Sequence, residues 1–189
     1  KAILKPEEIP VKLDGETAVA RPVTIDGKEY KITCVSMGNP HCVVFTDTDV
    51  SELPLEKIGP KFEFDSLFPE RVNTEFINVI DKNTLKMRVW ERGSGETLAC
   101  GTGACACAAA AIAAGLCGRK VEVLLRGGAL DEPPACAGVE VGEEFLRATV
   151  RVDARYKRLV AGVYELTVDC LAAYKKHFFV VVYVYYVRK

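Results

Sequence analysis

The sequence is poor in the features that would build a metal centre, a membrane span or a charge-driven binding surface. It holds 2 histidines, His41 and His177, in 189 residues. Its 8 cysteines never fall in C-x-x-C spacing: Cys105 and Cys107 stand one residue apart, with no second pair to complete four ligands, so no metal is expected. Net charge is also lacking, at −1 from 25 basic and 26 acidic residues that are interspersed along the chain. No long-range field then gathers nucleic acid or an anionic membrane, and selectivity for a small charged ligand has to be local. Long apolar runs are missing too. The most apolar one, "HFFVVVYVYYV" from His177 to Val187, is far shorter than the roughly 20 residues a spanning helix needs, and its β-branched and aromatic residues read as a strand. No basic stretch followed by an apolar run opens the chain, and Cys100, Cys105 and Cys107 crowd one segment. A reduced, cytoplasmic protein is expected rather than a secreted disulfide framework.

What is present is ample apolar content, 49% of residues, enough for a substantial core. The stretch "ARPVTIDGKEYKITCVSMG" reads as two strands joined at Asp26-Gly27, a pair that tolerates positive φ in a tight hairpin. "HCVVF" is a further strand. Ser51 is placed to cap a helix over about Pro54 to Phe62, which Gly59-Pro60 should end early. "TEFINVI" and "LKMRVWE" flank Asp81-Lys82-Asn83 as a second hairpin. Residues 101–115 differ from everything else, because Ala, Cys, Gly and Thr leave no polar face and Ala is the best helix former. A helix without a wet face is buried, ending at Gly115 and Gly118, before "KVEVLLRGG" resumes as a strand. "DEPPACAG" reads as a break, and "EEFLRATVRVD" and "AGVYELTVD" as later strands. The pattern implies an α+β fold in which a curved sheet encloses a short Ala-rich helix.

Cys100 sits at the mouth of that helix. A thiol there faces unsatisfied N–H groups and the positive end of the helix dipole, which favour thiolate and make it a candidate acid, base or nucleophile. The amides at Gly101, Thr102 and Gly103 form a cradle for a carboxylate or phosphate. Glu91 and Arg92 lie just before, one an acceptor for an ammonium group and the other a fixed fork for a carboxylate. Thiolate, anion cradle and a pair of both signs within a dozen residues suit an amino acid. The bland alternative is that Cys100 is a small buried hydrophobe like its neighbours. A second is an acyl-transfer nucleophile, with His41 as base and the glycine loop as oxyanion hole.

Three motifs, "MGNPHCVVF", "FPERVNTEFINVI" and "VWERGSGETLACGTGACA", come in the order found in the second half of diaminopimelate epimerase, and the chain resembles that family over residues 1 to about 130. The resemblance implies a cofactor-independent isomerase that interconverts LL- and meso-diaminopimelate for lysine and peptidoglycan synthesis. Two cysteines face each other across the substrate α-carbon there, with neither metal nor pyridoxal phosphate. It further implies an antiparallel, β-barrel-like half domain around the Ala-rich helix. Carried over by motif, Cys100 is one acid–base thiol and His41 the histidine placed near the cysteines. Glu91 and Arg92 read the substrate and orient the site, Asn39 and Asn73 hold it, and Gly101 and Thr102 donate to its α-carboxylate. Without the motif, His41 would be a structural histidine, Asn39 and Asn73 turn residues and Arg92 a solvated surface charge.

The family's first half carries its own cysteine in a Cys-Gly-Asn-Gly loop that these 189 residues lack. A single thiol then implies help from outside: a complementary N-terminal half, or a homodimer presenting two copies of Cys100. The remaining possibility is a non-catalytic half domain that binds an amino acid or a protein. Residues 131–189 match nothing in the family and are expected to form a strand-rich extension packed on the same domain.

Overall fold

The computed structural model describes residues 2–98 and 100–126 with their side chains and, beyond them, the backbone of segments 136–141, 146–154, 162–169, 172–173 and 177–178. Strand β1 (Arg21–Ile25) turns into β2 (Lys28–Ser36) through Asp26 and Gly27, whose φ angles of 49° and 75° are the doubly left-handed turn expected of Asp-Gly. Strand β3 (Pro40–Phe45) pairs antiparallel with β2. Helix α1 (Leu55–Glu63) then crosses to β4 (Asn73–Asp81), which lies parallel to β3. Strands β5 (Thr84–Glu91) and β6 (Gly95–Thr97) form a hairpin. Helix α2 (Gly101–Ala113) crosses to β7 (Lys120–Leu124), parallel to β5. Strands β8 (Cys136–Val141), β9 (Leu146–Ala154) and β10 (Gly162–Asp169) continue the sheet antiparallel, and β11 (Ala172–Ala173) pairs with β12 (His177–Phe178) apart from it.

The sheet order is β1-β2-β3-β4-β5-β7-β8-β9-β10, with β6 attached to β5. The α+β class holds, but the expected all-antiparallel sheet does not. The β3–β4 and β5–β7 pairs are parallel, because each is joined by a helix rather than a hairpin. No pairing joins β1 to β10 among the described residues. Strands β4 and β5 run in opposite directions, so two crossovers of the same hand advancing the same way across the sheet put their helices on opposite faces. Two cores result. On one face α2 packs its Ala and Cys side chains on Val35, Val43, Ile77, Leu85 and Met87. On the other, α1 buries Leu55 and Phe62 against Ile32, Cys42, Val44 and Phe76. Strands β3 and the first half of β4 are buried on both faces, as parallel strands between helices are.

Two local expectations fail for reasons the packing supplies. Ser51 does not cap a helix; it lies in a short 3₁₀ turn, Val50–Glu52, and its N–H donates to Asp49 Oδ1 at 2.9 Å. Helix α1 also runs through Gly59-Pro60 to Glu63. Glu56, whose carbonyl loses its helical donor to Pro60, is exposed, so water can take the donor's place. Burial of Leu55, Gly59, Phe62 and Glu63, at the i, i+4, i+7, i+8 spacing of one helix face, outweighs the proline. Phe62 makes edge-to-face contacts with Tyr30 and Phe76, with centroids 4.9 and 5.4 Å away. The "DEPPACAG" break is shorter than read, since β8 starts at Cys136. Residues 131–135, and the final apolar run after Phe178, lie outside the described residues.

Candidate active site

Cys100 caps the N-terminus of α2 in extended backbone. Its Sγ accepts the Gly103 N–H at 3.3 Å and lies 3.5 Å from Thr102 Oγ1. Of the three amides read from the sequence as an anion cradle, Gly101 and Thr102 stand at first helical positions with no intrahelical acceptor, whereas the Gly103 N–H is taken by Cys100 Sγ. Gly103 is required here for room: a Cβ would stand 3.2 Å from Cys100 Sγ and 2.8 Å from Glu75 Oε1. The first turn of α2 therefore sits directly on a buried carboxylate.

That carboxylate changes the expected charge state. Burial first, then the neighbouring Glu75 and Glu91 charges, push the Cys100 thiol up to about 11; the Thr102 and Gly103 hydrogen bonds offset this only in part. The helix end alone would favour thiolate, but in this site desolvation and two carboxylates win, and Cys100 rests as a thiol. Its alkylation by iodoacetamide, followed residue by residue in a mass spectrometer, is expected to keep accelerating as pH rises from the ordinary 9.0 toward about 11. A plateau reached below pH 8 would show the dipole prevailing. The linkage has a definite sign: a raised folded pKa stabilises the fold below the unfolded pKa, and that contribution is lost as pH climbs through the folded one.

His41, wholly buried on β3, sets its Nδ1 against Glu75 Oε1 at 2.6 Å and its Nε2 against Asn39 Oδ1 at 3.0 Å. Asn39 Nδ2 donates to Thr102 Oγ1 at 3.4 Å. Asn39, His41 and Thr102 thus form one polar line that ends at Cys100. Glu91 accepts a short hydrogen bond from Thr97 Oγ1 across the β5–β6 hairpin, and Gly93 and Gly95 at φ 77° and 80° let the "ERGSGET" turn close. Asn73 and Arg92 are more committed than their motif suggested. Asn73 Nδ2 donates to the Pro40 carbonyl at 3.2 Å, and its Oδ1 accepts the Arg92 N–H at 2.8 Å; Arg92 Nη1 donates to the Glu70 carbonyl at 2.9 Å. Together they lace the β3 start, the β4 start and the hairpin into one rim.

Two carboxylates escaped the sequence reading. Glu75 looks like any polar residue in an alternating strand; only the parallel register, His41 opposite Asn73 and Val43 opposite Glu75, puts it on the α2 face. Glu63, 3% exposed, accepts the Trp90 indole N–H at 2.7 Å and the Gly93 N–H at 2.9 Å, and so ties α1 to the loop before Cys100. Its place four residues after Gly59 on the buried helix face was the available signal. A groove of about 1000 Å³ opens at the far ends of β3 and β4, lined by Lys31, Phe45, Asp47, Ile77, Lys86 and Leu116. None of the residues around Cys100 lines it. Among the described residues no three His, Cys, Asp or Glu side chains cluster as metal ligands, and no helix is long and apolar enough to cross a membrane.

A family model described as diaminopimelate epimerase matches residues 33–132, a span that contains Asn39, His41, Asn73, Glu75, Glu91, Arg92, Cys100 and Thr102. The chain belongs to the diaminopimelate epimerase family. It is 62% identical over 128 residues to the diaminopimelate epimerase of Acetivibrio thermocellus, covering 68% of this chain and 45% of that protein. It is 55% identical over 128 residues to that of Methanococcus maripaludis, covering 68% and 46%. With the enzyme of Microcystis aeruginosa it shares 54% over 125 residues, covering 65% and 44%. The chain thus spans less than half the length of these diaminopimelate epimerases. The solved structure of a Bacillus anthracis phenazine biosynthesis protein of the PhzF family covers 86% of this chain and 56% of that one at 14% identity, with a TM-score of 0.44, a likeness too loose to place a residue.

Proposed function

We propose that the chain carries one side of a cofactor-independent amino-acid epimerase site that acts on LL- and meso-diaminopimelate in the cytoplasm, with Cys100 as one of two acid–base groups. The observation that carries the reading is Cys100 at the α2 N-terminus beside donor amides, in a member of this family. In the proposed reaction the substrate α-carboxylate lies on the Gly101 and Thr102 amides, where carbanion charge is met by fixed dipoles without reorganisation. Asn39, Asn73, Glu91 and Arg92 frame the substrate. Cys100, resting as a thiol, gives its proton to one face of the α-carbon while a group on the other face removes the original proton.

The second group comes from outside these residues, either a complementary half or the Cys100 of a second copy. An enclosing, barrel-like sheet around α2, with residues 131–189 as an extension of the family domain, belongs to the same proposal. A single copy is therefore expected to be a poor epimerase. Incubation with LL-diaminopimelate in D₂O, with α-deuterium and the meso isomer followed and mass measured by light scattering, checks this. Deuterium with inversion from a dimer supports two-fold pairing of Cys100. Deuterium without inversion indicates a one-sided site awaiting its complement. Robust inversion by a demonstrated monomer overturns the need for a second group, and no exchange in any assembly leaves a binding module.

A further inference from the structure

Glu75 enters the reaction just proposed only through its charge on the Cys100 thiol, yet it is wholly buried beneath the first turn of α2. Its Oε1 meets His41 Nδ1 at 2.6 Å, and both side chains are sealed from solvent at 0% exposure. Its Oε2 has no hydrogen-bond partner. A buried carboxylate with one orphaned oxygen is a poor stabilising element, so its effect is to be sought in the one group it touches. The ring of His41 has only two polar atoms. With Nδ1 held by Glu75, Nε2 is left to donate its N–H to Asn39 Oδ1 at 3.0 Å, and the line runs on from Asn39 Nδ2 to Thr102 Oγ1 at 3.4 Å and from Thr102 Oγ1 to Cys100 Sγ at 3.5 Å. A carboxylate that fixes an imidazole's proton on one nitrogen dictates what the other can do.

We propose that Glu75 is a positioning residue that keeps a proton on His41 Nδ1 and so holds the ring with its Nε2–H donating to Asn39 Oδ1, in line with Thr102 and Cys100. Its meaning for catalysis rests on the epimerase reading; the state of the ring does not. In ¹⁵N-labelled protein the imidazole nitrogens are resolved by long-range ¹H–¹⁵N spectra, and with only 2 histidines in the chain a His177→Gln variant assigns His41. The expected wild-type spectrum shows Nδ1 protonated. An unprotonated Nδ1 overturns the proposal, whatever the variants do. In Glu75→Gln the amide can turn its NH₂ toward the ring and is expected to take the proton off Nδ1, leaving the one on Nε2. Within the assembly that turns over diaminopimelate, kcat should then fall at least about tenfold while KM stays within about twofold. Persistence of the Nδ1 proton in that variant with unchanged kcat overturns the proposal. If the nitrogens behave as expected but the wild type never exchanges an α-proton, the epimerase reading fails and the positioning role stands.

Discussion

Replacing Cys100 by serine is expected to lower α-proton exchange on diaminopimelate at least about a thousandfold, about 4 kcal/mol of transition-state stabilisation. Serine keeps the local structure. Its hydroxyl can take the Gly103 N–H that Sγ accepts at 3.3 Å, and serine is among the best helix N-caps, so thermal unfolding should be nearly unchanged. Acid–base capacity is lost instead, because a hydroxyl is far harder to ionise than a thiol, even one lifted to about 11, and returns a proton less readily. The measurement is α-deuterium incorporation in the active assembly, beside a melting curve of the same sample. Retained exchange would take Cys100 out of the mechanism, and lost exchange with a collapsed melt would point to structure instead.

Gly59→Ala is expected to be the most damaging small change to the fold. A Cβ at Gly59 would stand 2.3 Å from Trp90 Cδ2 and 2.4 Å from Cγ, well inside van der Waals contact. Trp90 has little freedom to yield, since its indole N–H is held by Glu63 at 2.7 Å and its far ring edge lies 3.5 Å from where a Gly95 Cβ would be. Alanine regains about 1 kcal/mol of helix propensity, whereas overpacking costs about 1–3 kcal/mol and sometimes more. The net expectation is a loss of about 1–2 kcal/mol, read as a lower urea midpoint with unchanged slope. A shift of α1 would also draw Glu63 away from the Gly93 N–H, so the loop before Cys100 should loosen in the same variant. Unchanged stability would mean that α1 does not bear on the Trp90 ring.

The sequence announced Cys100 because its signals are local: a thiol, glycines and a helix former follow one another within a few residues. The Asp26-Gly27 hairpin and the α2 boundary at Gly115 were legible for the same reason, each resting on a backbone conformation that few residues adopt. What was not legible depends on register and on layers. Glu75 becomes a partner of His41 only once β4 lies parallel to β3 in a particular alignment. Pro60 inside α1 is tolerated only because the opposite face of the helix is buried on the sheet. The resting charge of Cys100 was misjudged from the helix end alone, since the opposing carboxylates arrive from β4 and β5, 25 and 9 residues away in sequence. Asn73 was singled out by motif, yet its amide is engaged with the Pro40 carbonyl and the Arg92 N–H, contacts made across elements.

Trp90 is the single tryptophan of the chain, lodged between α1 and the hairpin that leads to Cys100. Its fluorescence therefore comes from one place. The emission wavelength and quenching of this indole report, without any label, whether the helix and the rim around Cys100 are docked, and any change that reshapes the rim can be followed optically from within the protein itself.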